Sequence, residues 1–166
     1  MSRTLFAVMV AATLAGVGGA DAQDASKQLV GTWQVKSFAQ RFVENNETVR
    51  PFGDRVSGYI QYAPGGHMVV FLVGGERKAP AGPVITDSER ASLYNGIFGA
   101  YAGTYRVDGS KVIHRVVASW NEGFTGTDQV RYFKLDGKEL TIDTAPFVSP
   151  RYGKQAIATI VFERLE

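Results

Sequence analysis

The sequence predicts an all-β domain, a barrel of about eight antiparallel strands in up-and-down order with one inserted helix. Three observations carry that prediction. From Gln23 onward, apolar residues recur with a period of two far more often than 3.6, the spacing of a sheet with one buried face. Two Asp-Gly pairs, Asp108-Gly109 and Asp136-Gly137, sit between alternating stretches, the composition of tight hairpins. The strands so delimited follow one another nearly sequentially, and a meander of that size removes both exposed edges by closing on itself. Such a barrel has an interior just wide enough for packed side chains or one small ligand.

Ahead of the domain, Met1 to Thr4 is short and basic, Leu5 to Gly18 is almost wholly small and apolar, and Ala20-Asp21-Ala22 has a small-x-small pattern. Residues 1–22 therefore read as a secretory signal peptide and residues 23–166 as the domain. The apolar run is shorter than the about 20 residues a membrane span requires, so no stable membrane anchor is expected and the location is periplasmic or secreted. The chain has no cysteine, so packing and not disulfides must supply stability. With 45% apolar and 11% aromatic residues, it has the material. A net charge of +2 with dispersed basic residues gives no footprint for nucleic acid.

Gly31-Thr32-Trp33 opens the first strand, in which Trp33, Val35 and Ser37 alternate with Gln34, Lys36 and Phe38. Asn45-Asn46-Glu47 and Pro51-Phe52-Gly53 are breaks. The strands Ser57 to Tyr62 and His67 to Val73 flank Ala63-Pro64-Gly65-Gly66 and are expected to form a hairpin, the second apolar on both faces. Gly74 to Pro83 is a loop, and it lacks the Lys-Ser/Thr ending of a phosphate loop. Thr86-Asp87-Ser88-Glu89 fits a capping box and starts the helix. Ala91, Leu93, Tyr94, Ile97 and Phe98 form its expected apolar stripe, covering an end or side of the barrel or acting as a lid. Hairpins at Asp108-Gly109 and Asp136-Gly137, a polar connection from Trp120 to Gly126, a loop at Thr144 to Gly153 and a strand near Gln155 to Arg164 complete the chain.

Gly31-Thr32-Trp33 resembles the Gly-x-Trp signature of lipocalins. The ordered segments Leu29 to Trp33, Pro51-Phe52-Gly53, Gly58 to Tyr62, Gly65 to Met68, Tyr101 to Tyr105 and Gly126 to Arg131 are similar to the bacterial lipocalin-like domain family. The resemblance implies that Trp33 plugs one barrel end with Arg164 lying across it, and that a ligand belongs in the interior or at the other end. The chain departs from classical lipocalins in lacking a disulfide pair and in the position of its helix.

The ligand-binding candidates are the inward polar or aromatic residues Tyr59, Tyr62, Met68, Phe71, Tyr101, Tyr105, His114, Trp120, Arg131 and Phe133. Alternation groups His114, Val116, Ala118 and Trp120 on one face of their strand and Ile113, Arg115, Val117 and Ser119 on the other; either can face inward, and the preference of Arg115 for water favours the His114 face. Gln129, Arg131 and Phe133 share a face of the next. An inward Arg131, with His114 and a tyrosine, would receive the acidic or polar head of a mostly apolar molecule, because a buried cation needs a partner; an outward Arg131 would lie over Tyr132 or Phe133. His67 and His114 are the two histidines and have no carboxylates at ligating spacing, so no metal or cofactor is expected. No catalytic residue is assigned. Three functions fit: a carrier of a small hydrophobic or amphipathic molecule, a cofactor-free isomerase or cyclase acting on one, or an envelope interaction or structural protein.

Overall fold

The computed structural model describes residues 25–166, and the segment read as a signal peptide lies outside the described residues. A helical turn at 25–29 leads into β1 (Gly31–Phe42), β2 (Thr48–Val49), β3 (Val56–Tyr62) and β4 (His67–Gly74). The helix α1 (Asp87–Asn95) precedes β5 (Ile97–Asp108) and β6 (Lys111–Ser119). A 3-10 turn (Glu122–Phe124) is followed by β7 (Asp128–Asp136), β8 (Glu139–Thr144), β9 (Phe147–Val148) and β10 (Gln155–Arg164). In the order β1-β3-β4-β5-β6-β7-β8-β10 each strand pairs antiparallel with the next, and β10 pairs back onto β1. The eight-stranded barrel of the sequence reading is therefore closed, with β2 and β9 as two-residue additions at its margin.

The connections divide by length. The short turns 63–66, 109–110 and 137–138 lie at the end where β1 begins, whereas 43–55, 75–96, 120–127 and 145–154 gather at the other. One end is thus tightly tied, and the other is a mouth framed by long segments. In the two Asp-Gly hairpins the aspartate is the last strand residue, and the loops are Gly109-Ser110 and Gly137-Lys138. Gly109 has φ 57° and Gly137 φ 59°, while the following Ser110 and Lys138 do not have positive φ, the glycine-first pattern of a II′ turn.

Two bulges change which residues face inward. Against β10, Val35 pairs with Phe162 and Ser37 with Val161, so Lys36 is an extra residue and the alternation shifts. Phe38, expected to share a face with Gln34 and Lys36, is consequently buried together with Trp33, Val35 and Phe42. On β6, Gly103 pairs with Val116 but Ala102 with Ala118, leaving Val117 unpaired and 67% exposed. Val112, His114 and Val116 face in, yet Ala118 faces out, which corrects the grouping of Ala118 with His114.

The capping box forms: Glu89 N–H donates to Thr86 Oγ1 at 3.3 Å and Thr86 N–H to Glu89 Oε2 at 2.8 Å. The helix nevertheless ends at Asn95 and buries none of its residues. Ile97 and Phe98, expected on its apolar stripe, instead open β5, where Phe98 packs at 4.6 Å on Phe38 and 4.9 Å on Phe52. Gly96 interrupts the pattern, and strand pairing to β4 takes over.

At the tied end, the Arg164 guanidinium stacks 4.0 Å from the centre of the Trp33 ring, while Trp33 Nε1–H donates to Leu29 O at 2.8 Å. Arg164 also donates to Val30 O at 2.8 Å and to Gln28 O, tying the helical turn down over the opening. Gly31 is required there. Its φ is 135°, and a Cβ would stand 2.9 Å from both Arg164 Nη1 and Glu166 O. Gly31→Ala is expected to lower stability in chemical denaturation by about 1–3 kcal/mol through backbone strain and the displaced guanidinium. Arg164→Ala should cost a similar amount, about 1–3 kcal/mol, by removing the stacking and the carbonyl bonds. A midpoint unchanged in both variants would contradict this account of the plug.

Candidate functional site

Between the plug and the mouth, the apolar interior holds a polar group assembled from four strands. His114 on β6 is buried, and both of its ring nitrogens are engaged: Nε2 with the Tyr62 hydroxyl of β3 and Nδ1 with the Tyr101 hydroxyl of β5, each at 2.9 Å. Tyr105 packs edge-on against Tyr62 at 4.8 Å and donates its hydroxyl to Ala63 O at 3.1 Å, fixing the β3–β4 turn beside the group. Arg131 on β7 pairs with Val112, which is wholly buried, so both side chains point inward, whereas the adjacent Tyr132 is 43% exposed. In the same ladder His114 pairs with Gln129, which makes Arg131 its diagonal neighbour on the inner face, within reach of a long side chain.

Arg131 donates to Val130 O at 2.9 Å and to Gln129 Oε1 at 3.3 Å, and its charge acts on Tyr62, Tyr101 and His114. None of these partners is anionic, and no carboxylate is among the described buried residues. The electrostatics follow from that asymmetry. Burial, reinforced by the Arg131 charge, pushes the His114 pKa down to about 3, so the imidazole is neutral at physiological pH. Burial raises the Tyr62 and Tyr101 pKa values, with Arg131 pulling against it in both, and the hydroxyls keep their protons. The group is neutral apart from one guanidinium.

The structure thus brings Tyr62, Tyr101, Tyr105, His114 and Arg131 together. Met68 on β4 is buried in the wall and Phe133 on β7 is half-buried against the core. Tyr59 and Phe71 do not join them. Strand parity places Ile60 and Tyr62, and Met68, Val70 and Leu72, inward, so Tyr59 and Phe71 pair with each other on the outer surface, 49% and 51% exposed. Trp120 lies past the end of β6 and beyond the Val117 bulge, at the rim, 6.5 Å from Tyr94 of the helix and 5.7 Å from Phe124. That is a correction to its expected place on the His114 face.

Sequence pattern does not single out Phe124, Gln129 or the Gln40–Ser149 pair. Phe124 sits edge-on to Tyr101 at 6.4 Å, bringing the β6–β7 connection over the group. Gln129 holds the guanidinium from behind and is itself bonded to Thr127 at 2.8 Å. Ser149 donates to Gln40 at 2.8 Å, a fully buried contact that pins the β9 loop to β1 across a large sequence separation. Two surface recesses, about 340 and 360 Å³, lie on the outer wall around Arg115 and around Glu163. Their charged side chains pair with one another in water, and the recesses do not belong to the interior group.

A family model described as a lipocalin-like domain matches residues 30–165. Comparison with curated proteins gives no match.

The neutral, buried His114 has a measurable consequence. In the unfolded chain it titrates near 6.5, and in the folded protein near 3. Between these values the unfolded state binds a proton that the native state refuses, so stability falls as pH drops below 6.5, by up to about 1.4 kcal/mol per pH unit. Denaturant unfolding of the wild type at pH 4 to 7 should be steeper in pH than that of His114→Gln by about that slope. Parallel profiles would show that His114 is not held neutral.

Proposed function

The chain belongs to the lipocalin-like domain family, and from that premise we propose that it binds and carries a small, mostly apolar molecule in the barrel interior, with the molecule's polar or acidic head at Arg131. The observation that carries the reading is the inward guanidinium with no anionic partner, set among buried tyrosines and a neutral histidine. A cation drawn into an apolar interior is costly unless a counter-charge joins it, and the described chain supplies none there. An apolar partner suits the interior: Val35, Ile60, Met68, Val70, Leu72, Val116, Ile142 and Phe162 belong to one hydrophobic cluster with Tyr62, Tyr101 and Tyr105.

Access is from the mouth. The half-buried aromatics Phe52, Phe98, Phe124 and Phe147 lie at that end, and the helix beside it buries none of its residues. Carriage fits better than proton-transfer catalysis, since a histidine with a pKa of about 3 is a weak base at neutral pH and the two tyrosines bonded to it have raised pKa values. Export into the periplasm or medium, indicated by residues 1–22, places such a carrier where apolar molecules need a soluble host.

Mass spectrometry of organic extracts from the purified protein should identify a bound small molecule. Arg131→Ala should keep its melting temperature and bind that molecule roughly 10- to 100-fold more weakly, the range for losing charge-assisted hydrogen bonds. Undiminished binding by the variant, or extracts empty in both proteins, would contradict the proposal.

A further inference from the structure

We infer that the head group received by the barrel is a carboxylate held between the Arg131 guanidinium and the Tyr101 hydroxyl. This rests on the interior-binding reading above and adds to it the chemistry of the head. A count of protons carries it. Neutral imidazole has one N–H donor and one bare acceptor nitrogen, and each tyrosine has one O–H. Tyr62, His114 and Tyr101 therefore hold three polar protons, while two hydrogen bonds join them. One O–H is left over. Among the described residues neither Tyr62 nor Tyr101 meets any other acceptor.

Two arrangements satisfy the chain of bonds. Either Tyr101 donates to Nδ1, and Nε2–H donates to Tyr62, whose proton is then spare; or Tyr62 donates to Nε2, and Nδ1–H donates to Tyr101, whose proton is spare. Arg131 bears on the choice through strand order: β7, which carries it, lies two strands from β5 of Tyr101 and four from β3 of Tyr62. In the second arrangement the Tyr101 oxygen accepts from His114 Nδ1–H, and its own O–H is free to donate. The site then presents two donors, the Tyr101 O–H and the Arg131 guanidinium.

A carboxylate fits that pair. It brings two acceptor oxygens, no proton, and the negative charge that Arg131 lacks, and one oxygen on each donor makes two charge-assisted bonds. An alcohol brings one oxygen and no negative charge for Arg131. An amine brings a like charge or a further donor. Because binding selects the arrangement with Tyr101 free to donate, it also fixes His114 as the Nδ1–H tautomer.

Calorimetric titration of the purified protein with octanoate, octan-1-ol and octylamine separates the heads on a constant tail. Octanoate is expected to bind at least about 10-fold tighter than octanol, and octylamine weaker than either. Tyr101→Phe and Arg131→Gln, each checked for an unchanged melting temperature, should bring octanoate down to the octanol level and leave octanol as it was. Nitrogen-15 spectra of the octanoate complex should show His114 protonated at Nδ1 and bare at Nε2. Equal binding of octanoate and octanol, a preference that survives Tyr101→Phe, or an Nε2–H tautomer in the complex overturns the carboxylate inference while leaving interior binding in place. No binding by any of the three overturns interior binding, and this inference with it.

Discussion

The return of β10 onto β1 is the constraint on which the rest of the molecule depends. It joins the two ends of the described chain in nine residue pairs, from Trp33 opposite Arg164 to Phe42 opposite Ala156. Without it the sheet would have two open edges and no interior; with it, every inward residue is removed from water at once. Trp33 and Arg164 stand where that seam reaches the tied end. There the stacked guanidinium helps hold the first and last strands of the barrel together in a protein that has no cysteine. The short turns all gather at this end, so the variable lengths of chain are left to the mouth.

Closure also determines what a buried polar group can be. In an open sheet Arg131 would reach water past an edge; inside a barrel it must find its partners among eight strands. Those it finds, Val130 O and Gln129, accept its protons without neutralising its charge. His114 answers the same field in the opposite sense. Its neighbour is a cation, its surroundings are apolar, and it gives up its proton, so one positive charge and not two is retained inside. Replacing buried charged groups with well-packed hydrocarbon is often neutral or stabilising, so stability alone does not account for this one.

Much of this was legible in the sequence, and the limits have physical causes. Period-two alternation, the Asp-Gly turns and the Thr86–Glu89 capping box are local signals read by local physics, and the strands, hairpins and helix start follow them. The inward face of β6 at His114 follows from the preference of Arg115 for water. Pattern fails where one residue breaks the parity. An extra Lys36 turns Phe38 inward, and an extra Val117 places Ala118 outside and Trp120 at the rim. Nothing local marks either, because a bulge is fixed by the strand it pairs with. Tyr59 and Tyr62 could not both face inward on an unbulged strand, and the burial of Ile60 decides between them. The Gln40–Ser149 contact spans more than a hundred residues and has no periodic signature.

The parity that misplaces these candidates also explains why the remaining ones converge. On neighbouring antiparallel strands, inward residues in register are neighbours in space, so Tyr105 lies opposite His114, and Gln129, beside Arg131, lies opposite it on the other side. Tyr101 lies four residues back along β5, on the same face as Tyr105, and Tyr62 reaches across from β3. The histidine is thus held from both nitrogens by strands that the barrel itself keeps in register. Rotation of the ring would break both bonds together. A rigid imidazole that cannot charge serves as a spacer, holding two phenols at a set separation. What remains free to respond to a ligand is then a hydroxyl proton and a guanidinium, the two elements that recognise an acceptor and not a donor.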